Sequence, residues 1–483
     1  MTPIPSIPQK VVRITSGAPQ DGSEVMPVNI TVGTAGDMEL QADGSWAIEV
    51  PEKPTRPIDL TMGSEFADDG WRAAGATIVR RLNTVIEHHP VRAKKHLVQI
   101  TVPETATAEN LRSLAIGLTV GGHTFVTTNR RRPAKVRRVH VVLPAGRETA
   151  TLERALDAGS ALGAATSLSR DLANAPANVK SPEWLATQAR NVVQGIEGVK
   201  IRLRDEAWLK DKGFGGILAV GKGSTRPPYL IELVWDPEVV GKKRKRQTVV
   251  LVGKGVTFDT GGISIKPSQG MDTMRTDMTG GASVIAAFRT LAQRQVPRKV
   301  VALIPTAENM VGGNAYRPGD VVEHYGGITT EVSNTDAEGR MLLADAISYA
   351  TKKFKPGVIV SIATLTGAAK VALGLRTGAV FAKNWGVGVK LARRGSAVGE
   401  RWWPLPMPDY LEESVDSSIA DVRQTPKGPG ATTAAMFLRR FSRDVPFVHL
   451  DIAGPGRAES TYDEVTPLGT GFGARTLIQW LMR

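Results

Sequence analysis

Cysteine is absent from the 483 residues of this chain, and that absence removes disulfides, thiolate metal sites and cysteine nucleophiles together. Histidine is scarce, with seven in all, and no two stand at the H-E-x-x-H spacing of a single-zinc helix site. No G-x-S-x-G occurs, so a serine hydrolase has no support. No run approaches the roughly 18 uncharged apolar residues of a membrane span. The opening MTPIPSIPQK has neither the basic nor the apolar region of a secretory leader. The expectation is a cytoplasmic protein without a membrane partner. A fixed-period repeat is missing as well.

What is present looks globular. Hydrophobic residues make up 41% and charged residues 22%, and the length favours two domains. Lysine and arginine total 61 against 47 acids, a formal net charge of +14. Two basic clusters contribute, Arg130 to Arg138 and Lys242 to Arg246. They read first as solvated loops and second as an attraction for nucleic acid. No aromatic residue interleaves with either, so base stacking has no footing.

Short apolar runs such as WAIEV, HLVQITV and RVHVVLP predict strands, and GWRAAGATIVRRLNTVIEHH has helical spacing. Residues 1–150 therefore read as a small α/β domain. A long helical pattern follows, with Leu152, Ala155, Leu156 and Leu162 on its apolar positions, and predicts a linking helix over 151–176 stopped by Pro176. From 177 to 483, apolar strands alternate with helices, the pattern of a mostly parallel sheet covered on both faces. The expected fold class is α/β in both domains, and sites in such sheets gather at the carboxyl ends of strands.

Two segments fit that placement, VGKGVTFDTGGISIKPSQGMDTMRTDM after the strand at 248–252, and SNTDAEGRM after GITTEVS. Together they hold Lys254, Asp259, Lys266, Asp277, Asp336, Glu338 and Arg340. Residues two apart share a face only in extended chain, so the spacing of Asp336, Glu338 and Arg340 predicts a strand end pointing two carboxylates into one space. Taken singly, Asp336 or Asp277 reads as a helix cap and Lys254 as a surface lysine. Jointly, four carboxylates resist packing together unless cations intervene. Asp259, Asp277, Asp336 and Glu338 balance two divalent ions, and oxygen donors suit Mg²⁺ or Mn²⁺ and are accepted by Zn²⁺.

NTDAEGRM resembles the N-T-D-A-E-G-R-L signature of the leucyl aminopeptidase, or cytosol aminopeptidase, family. GKGVTFDTGGISIKP, MDTMRTDM, ENMVGGNAYRPGDV, ATLTGA and HLDIAG are similar to further motifs of that family, in the same order, across roughly residues 168 to 483. The resemblance implies a metal-dependent aminopeptidase acting on peptides with a free N-terminus, leucine and other apolar residues foremost. It implies two metal ions, Mn²⁺ or Zn²⁺ with Mg²⁺ or Co²⁺ as alternatives. Asp259 and Glu338 would bridge them, Asp336 would complete one, and Lys254, as a neutral amine, and Asp277 the other. Lys266 and Arg340 match the family's catalytic residues outside the metal shell, Arg340 holding a bicarbonate ion. Met274, Asn334, Thr364, Leu365, Gly367 and Ala453 fall at substrate-contact positions, although methionines spaced as Met271, Met274 and Met278 also read as core. Family members assemble as hexamers, so a homohexamer is expected.

Departures are small. Arg275 stands where the family commonly has lysine, MTGGASV replaces a more alanine-rich run, and Met341 ends the signature in place of leucine, near its volume. Three other readings fit parts of the sequence. GILAVGKGS, Gly216 to Ser224, approaches a phosphate loop but has Gly223 where the magnesium-binding hydroxyl belongs, and reads as a glycine turn after a strand. A two-metal phosphoesterase would use similar carboxylates, and the basic clusters leave room for a secondary nucleic-acid role.

Overall fold

The computed structural model describes residues 5–20, 25–33, 37–50, 70–88, 97–129, 135–144, 149–244 and 246–482. The chain divides into two compact units, one of residues 1–167 and 458–467, the other of 168–457 and 468–483. The helix Thr149–Asn174 carries the chain from the first unit into the second.

The first unit is built on a six-stranded sheet in the order Arg13–Gly17, Arg138–Val142, Leu97–Thr101, Val25–Val32, Trp46–Val50, Glu39–Leu40. All its ladders are parallel except the last. Two helices, Gly70–His88 and Ala108–Val120, add Ile78, Leu82, Leu111 and Leu114 to a core completed by Val98, Ile100, Val139 and Val141 from the strands. Thr107 starts the second helix with a reciprocal capping box to Asn110, satisfying two backbone donors at once.

The second unit has a nine-stranded sheet. Its centre is five mutually parallel strands: Phe447–Asp451, Val358–Ala363, Arg246–Gly253, Arg298–Asn309 and Gly255–Asp259. Antiparallel ladders bring in Thr377–Ala382 on one side, and Tyr229–Trp235 with Val199–Arg204 on the other. The central strands are continuous apolar runs because helices cover both faces; Val249 to Val252 and Val300 to Ile304 are all at most 2% exposed. Parallel pairing fixes a common direction, so all five carboxyl ends lie along one edge. Lys254 and Thr364 stand one residue beyond two of these ends, and Asp259, Asn309 and Asp451 close the other three.

GILAVGKGS does not form a glycine turn after a strand; Gly215–Gly221 is a short helix. Phe214, Ile217 and Val220 recur at a helical interval and are fully or almost fully buried, and that burial outweighs the poor helix propensity of glycine. Of the basic clusters, residues 130–134 and 245 lie outside the described residues. Among the described members, Lys135 reaches Gly122 O, Arg137 reaches Lys10 O, and Arg244 reaches Asp236 and Glu238. Among the described residues no helix is long and apolar enough to cross a membrane.

Candidate metal centre

The site forms where the five strand ends meet the start of the helix Glu338–Phe354. Its carboxylates converge by a different route from the one their spacing suggested. The stretch before the helix is not extended: Ala337 N donates to Asn334 O at 3.0 Å, and Asn334 Oδ1 accepts from Asp336 N at 2.9 Å. Asparagine closes such turns with its own side chain. Asp336 therefore lies in a turn and Glu338 is the first helical residue, and the two meet across the helix entrance. Arg340 is on the same first turn but engages Gln424 O, at 2.5 Å, and lies 6.0 Å over the Phe437 ring.

Carboxylate oxygens of Asp259, Asp336 and Glu338 lie within 4.8 Å of one another. Two lysines cross-link these acids, and Lys254 ties them to Asp277. Lys254 Nζ is 2.8 Å from Asp277 Oδ2, 2.8 Å from Glu338 Oε1 and 3.0 Å from Thr364 O. Lys266 Nζ is 2.8 Å from Asp259 Oδ2 and also pairs with Asp336. Lys254, Asp259 and Glu338 are all buried, at 3%, 2% and 1% exposure. Gly339 makes room for the Lys254 stem, since a Cβ there would come within 2.6 Å of Lys254 Cε.

This crowding sets the electrostatics. Burial, with the Asp259 charge adding to it, pushes Glu338 up to about 8 and Asp336 up to about 6. Asp277 is also raised, chiefly by burial. Burial alone would lower both lysines, but Asp277, Glu338 and Asp259 outweigh it at Lys254 and hold it well above its ordinary value. Asp259, Glu338 and Asp277 do the same for Lys266. Burial draws Arg340 down to about 10. Asp277 Oδ2 and Glu338 Oε1 are buried yet receive no well-directed hydrogen bond, despite their closeness to Lys254. Four acids, two of them with such oxygens, form an oxygen donor set that fits divalent cations. A cation would supply the counter-charge that the carboxylates lack.

Of the remaining predicted residues, Asn334 and Thr364 bond to members of this cluster. Thr364 Oγ1 donates to Asp277 Oδ1 at 2.8 Å. Leu365 N and Ala453 N both donate to Asp451 Oδ1, while Thr366 Oγ1 donates to Asp451 Oδ2 at 2.7 Å. Gly367 is exposed and opens the helix Gly367–Leu373. Met274 is half-buried in the 3₁₀ turn Met271–Thr276, whereas Met278 is fully buried and belongs to the core.

Sequence reasoning passed over the residues that hold these groups in place. Asn309 Nδ2 donates to Asp259 Oδ1 at 2.8 Å and to Thr335 O at 3.0 Å. Tyr316 donates to the same Thr335 carbonyl. Gln424 Oε1 accepts from the backbone of Ser333 and Asn334, fixing the turn before the helix. Asp451, Asn309 and Tyr316 sat inside the quoted motifs HLDIAG and ENMVGGNAYRPGDV; Gln424 had no motif to mark it.

Residues 167–478 match the catalytic domain of the cytosol aminopeptidase family. The probable cytosol aminopeptidase of Corynebacterium diphtheriae is 40% identical over 386 residues, 79% of this chain and 75% of that protein. That of Roseiflexus castenholzii is 45% identical over 330 residues, 68% of this chain and 66% of that protein. Among solved structures, the bottromycin maturation enzyme BotP in complex with Mn matches with a TM-score of 0.80 at 33% identity, covering 95% of this chain and 99% of that one.

Proposed function

The chain belongs to the cytosol aminopeptidase family, and on that premise we propose that it removes apolar N-terminal residues, leucine foremost, from peptides. Two divalent ions, Mn²⁺ or Zn²⁺, would be held by Asp259 and Glu338 in common, by Asp336 on one side, and by Asp277 and Lys254 on the other. When bound, such ions lower the pKa of a water and polarise the scissile carbonyl.

The protein's own groups do the rest. Lys254 must give up its proton to serve as a ligand, and burial favours that neutral form once the acids are neutralised. Lys266, partly exposed beside Asp259, stays cationic and stabilises negative charge on the carbonyl oxygen. Arg340 is buried with Nε unbonded, and its planar fork suits a planar oxyanion such as bicarbonate, which would supply a proton acceptor beside the carboxylates. Met274, Asn334, Thr364, Leu365, Gly367 and Ala453 flank the first substrate residue and its backbone. In this reading residues 1–150 form a variable domain, 151–176 a linker and 177–483 the catalytic domain, in a cytoplasmic homohexamer.

One observation carries the reading: three carboxylates drawn within 4.8 Å and cross-tied by two lysines. Anomalous scattering from crystals grown with Mn²⁺ should show two peaks among these side chains. Purified protein with Mn²⁺ should hydrolyse leucine-p-nitroanilide and leave p-nitrophenyl phosphate intact. The reverse preference would defeat the reading and make the centre a phosphoesterase.

A further inference from the structure

No residue of the metal centre comes from the first unit, yet that unit contains a cavity of its own. It measures about 140 Å³, close to a volume that accepts a benzene-sized ligand. Its floor is apolar, lined by Val12, Val79 and Val136, none more than 9% exposed. Its rim carries Lys10, His123, Lys135 and Arg137, and the described lining includes no aspartate or glutamate. Lys10 and Arg137 are exposed.

Two of the rim cations donate to carbonyl and hydroxyl oxygens. Lys135 Nζ donates to Gly122 O at 3.3 Å and to Thr124 Oγ1. Arg137 donates one N–H to Lys10 O at 2.9 Å, and a guanidinium has five donors, so capacity remains for an anion. Ser167 also lines the cavity. It is 3% exposed, and its hydroxyl has no hydrogen-bond partner, an arrangement that costs free energy until an acceptor or donor arrives.

We infer that this cavity binds a small amphipathic anion, a compact apolar body bearing a carboxylate. The body rests on the valines, and the head meets Arg137 and Lys135. An apolar floor gives inorganic phosphate nothing to bury. Among the described residues the lining holds no acid, so an amine, or the ammonium of a free amino acid, meets no counter-charge there.

Benzoate is the probe, with benzylamine and benzyl alcohol as cationic and neutral controls of like size. Each is titrated calorimetrically into the full chain in EDTA, so that carboxylate cannot report on metal at the catalytic centre. Benzoate should bind at one site per chain, at least tenfold more tightly than either control. The double variant Lys135→Gln/Arg137→Gln should weaken benzoate about tenfold or more, the effect of losing charge-assisted hydrogen bonds. Its leucine-p-nitroanilide hydrolysis with Mn²⁺ should be unchanged. Val79→Trp should fill the floor and abolish binding; if it does not fold, the double variant decides. Absence of benzoate binding, benzylamine binding as tightly as benzoate, or benzoate binding untouched by the double variant would each overturn the inference.

Discussion

Two buried polar clusters are built on one helix, Glu338–Phe354, and they satisfy their charges in opposite ways. Two turns below the metal centre, Asp345 Oδ1 accepts from Tyr325 N at 2.9 Å and lies 3.0 Å from His324 Nδ1, while Oδ2 accepts from Ile217 N at 2.8 Å. His324 Nε2 completes the chain at Thr330 Oγ1, 2.9 Å away. Asp345 and Thr330 are 0% exposed and His324 1%, so the Asp–His–Thr arrangement has no route to a substrate and acts as a rivet between segments. At Glu338 the same helix begins with the reverse condition: acids crowd one another, and oxygens stay unmatched. A fully paired network makes one structure unique. An underpaired one, held rigid by its surroundings, is poised for a ligand.

The sharpest way to break this contrast is Glu338→Ala. It should cut leucine-p-nitroanilide hydrolysis with Mn²⁺ by more than ~10³-fold, since several kcal/mol of metal-derived stabilisation disappear. In EDTA its urea midpoint should stay level or rise, because a crowded acid has been removed. Full activity would refute the bridging role. Lys266→Ala comes next: turnover should fall by about 10²- to 10³-fold, while manganese stoichiometry, read by elemental analysis, stays at the level of the unmodified protein. Loss of metal would mean that Lys266 is a ligand and not a charge clamp.

At the rivet, the readout reverses. Asp345→Ala should lower the unfolding free energy by about 3 kcal/mol, because three donors are left buried without a partner. The surviving folded enzyme should keep its manganese. A variant that lost metal without losing stability would erase the distinction between the clusters.

The pH dependence of stability in EDTA sharpens it further. Glu338 near 8 and Asp336 near 6 both titrate above their ordinary values. Folding therefore binds protons at these groups: no penalty applies below about pH 4, and one accumulates as pH rises towards 8. The raised lysines carry the same sign, but their stabilisation is lost only above about pH 10, outside that window. The urea midpoint should fall between pH 6 and 8.5, and Glu338→Gln should flatten the slope. Metal affinity should move the other way and tighten with pH, because ligands shed protons on binding.

How much of this was legible in sequence depended on how local each cause was. Strands such as Arg246–Gly253 and Val358–Ala363 were readable because their apolar runs are continuous. The carboxylate cluster was readable because acids without thiols or paired histidines leave few chemistries. The entry to the helix at Glu338 was not, since the turn that delivers Asp336 is pinned by Gln424, 90 residues away from Asn334. The helix Gly215–Gly221 was hidden for a similar reason: its residues favour a turn, and only burial of Phe214 and Ile217 decides otherwise. The family resemblance singled out Lys254 as a candidate ligand, but not its position beside three acids that hold its proton.

Asn309 gives the finest test, because it contacts the centre without belonging to it. One amide donates to Asp259 and to Thr335 O, so it fixes both a carboxylate orientation and the turn that leads to Asp336. Residues that orient ligands in this way typically contribute about 10- to 100-fold in metal affinity. Asn309→Ala should therefore weaken manganese binding by about tenfold, with kcat at saturating metal close to that of the unmodified protein. Because Asp259 keeps its hydrogen bond from Gly261 N, unfolding in EDTA should change far less than in Asp345→Ala. A collapse of stability equal to that variant's would place Asn309 with the rivet, and the metal centre would then be as tightly paired as the network beneath it.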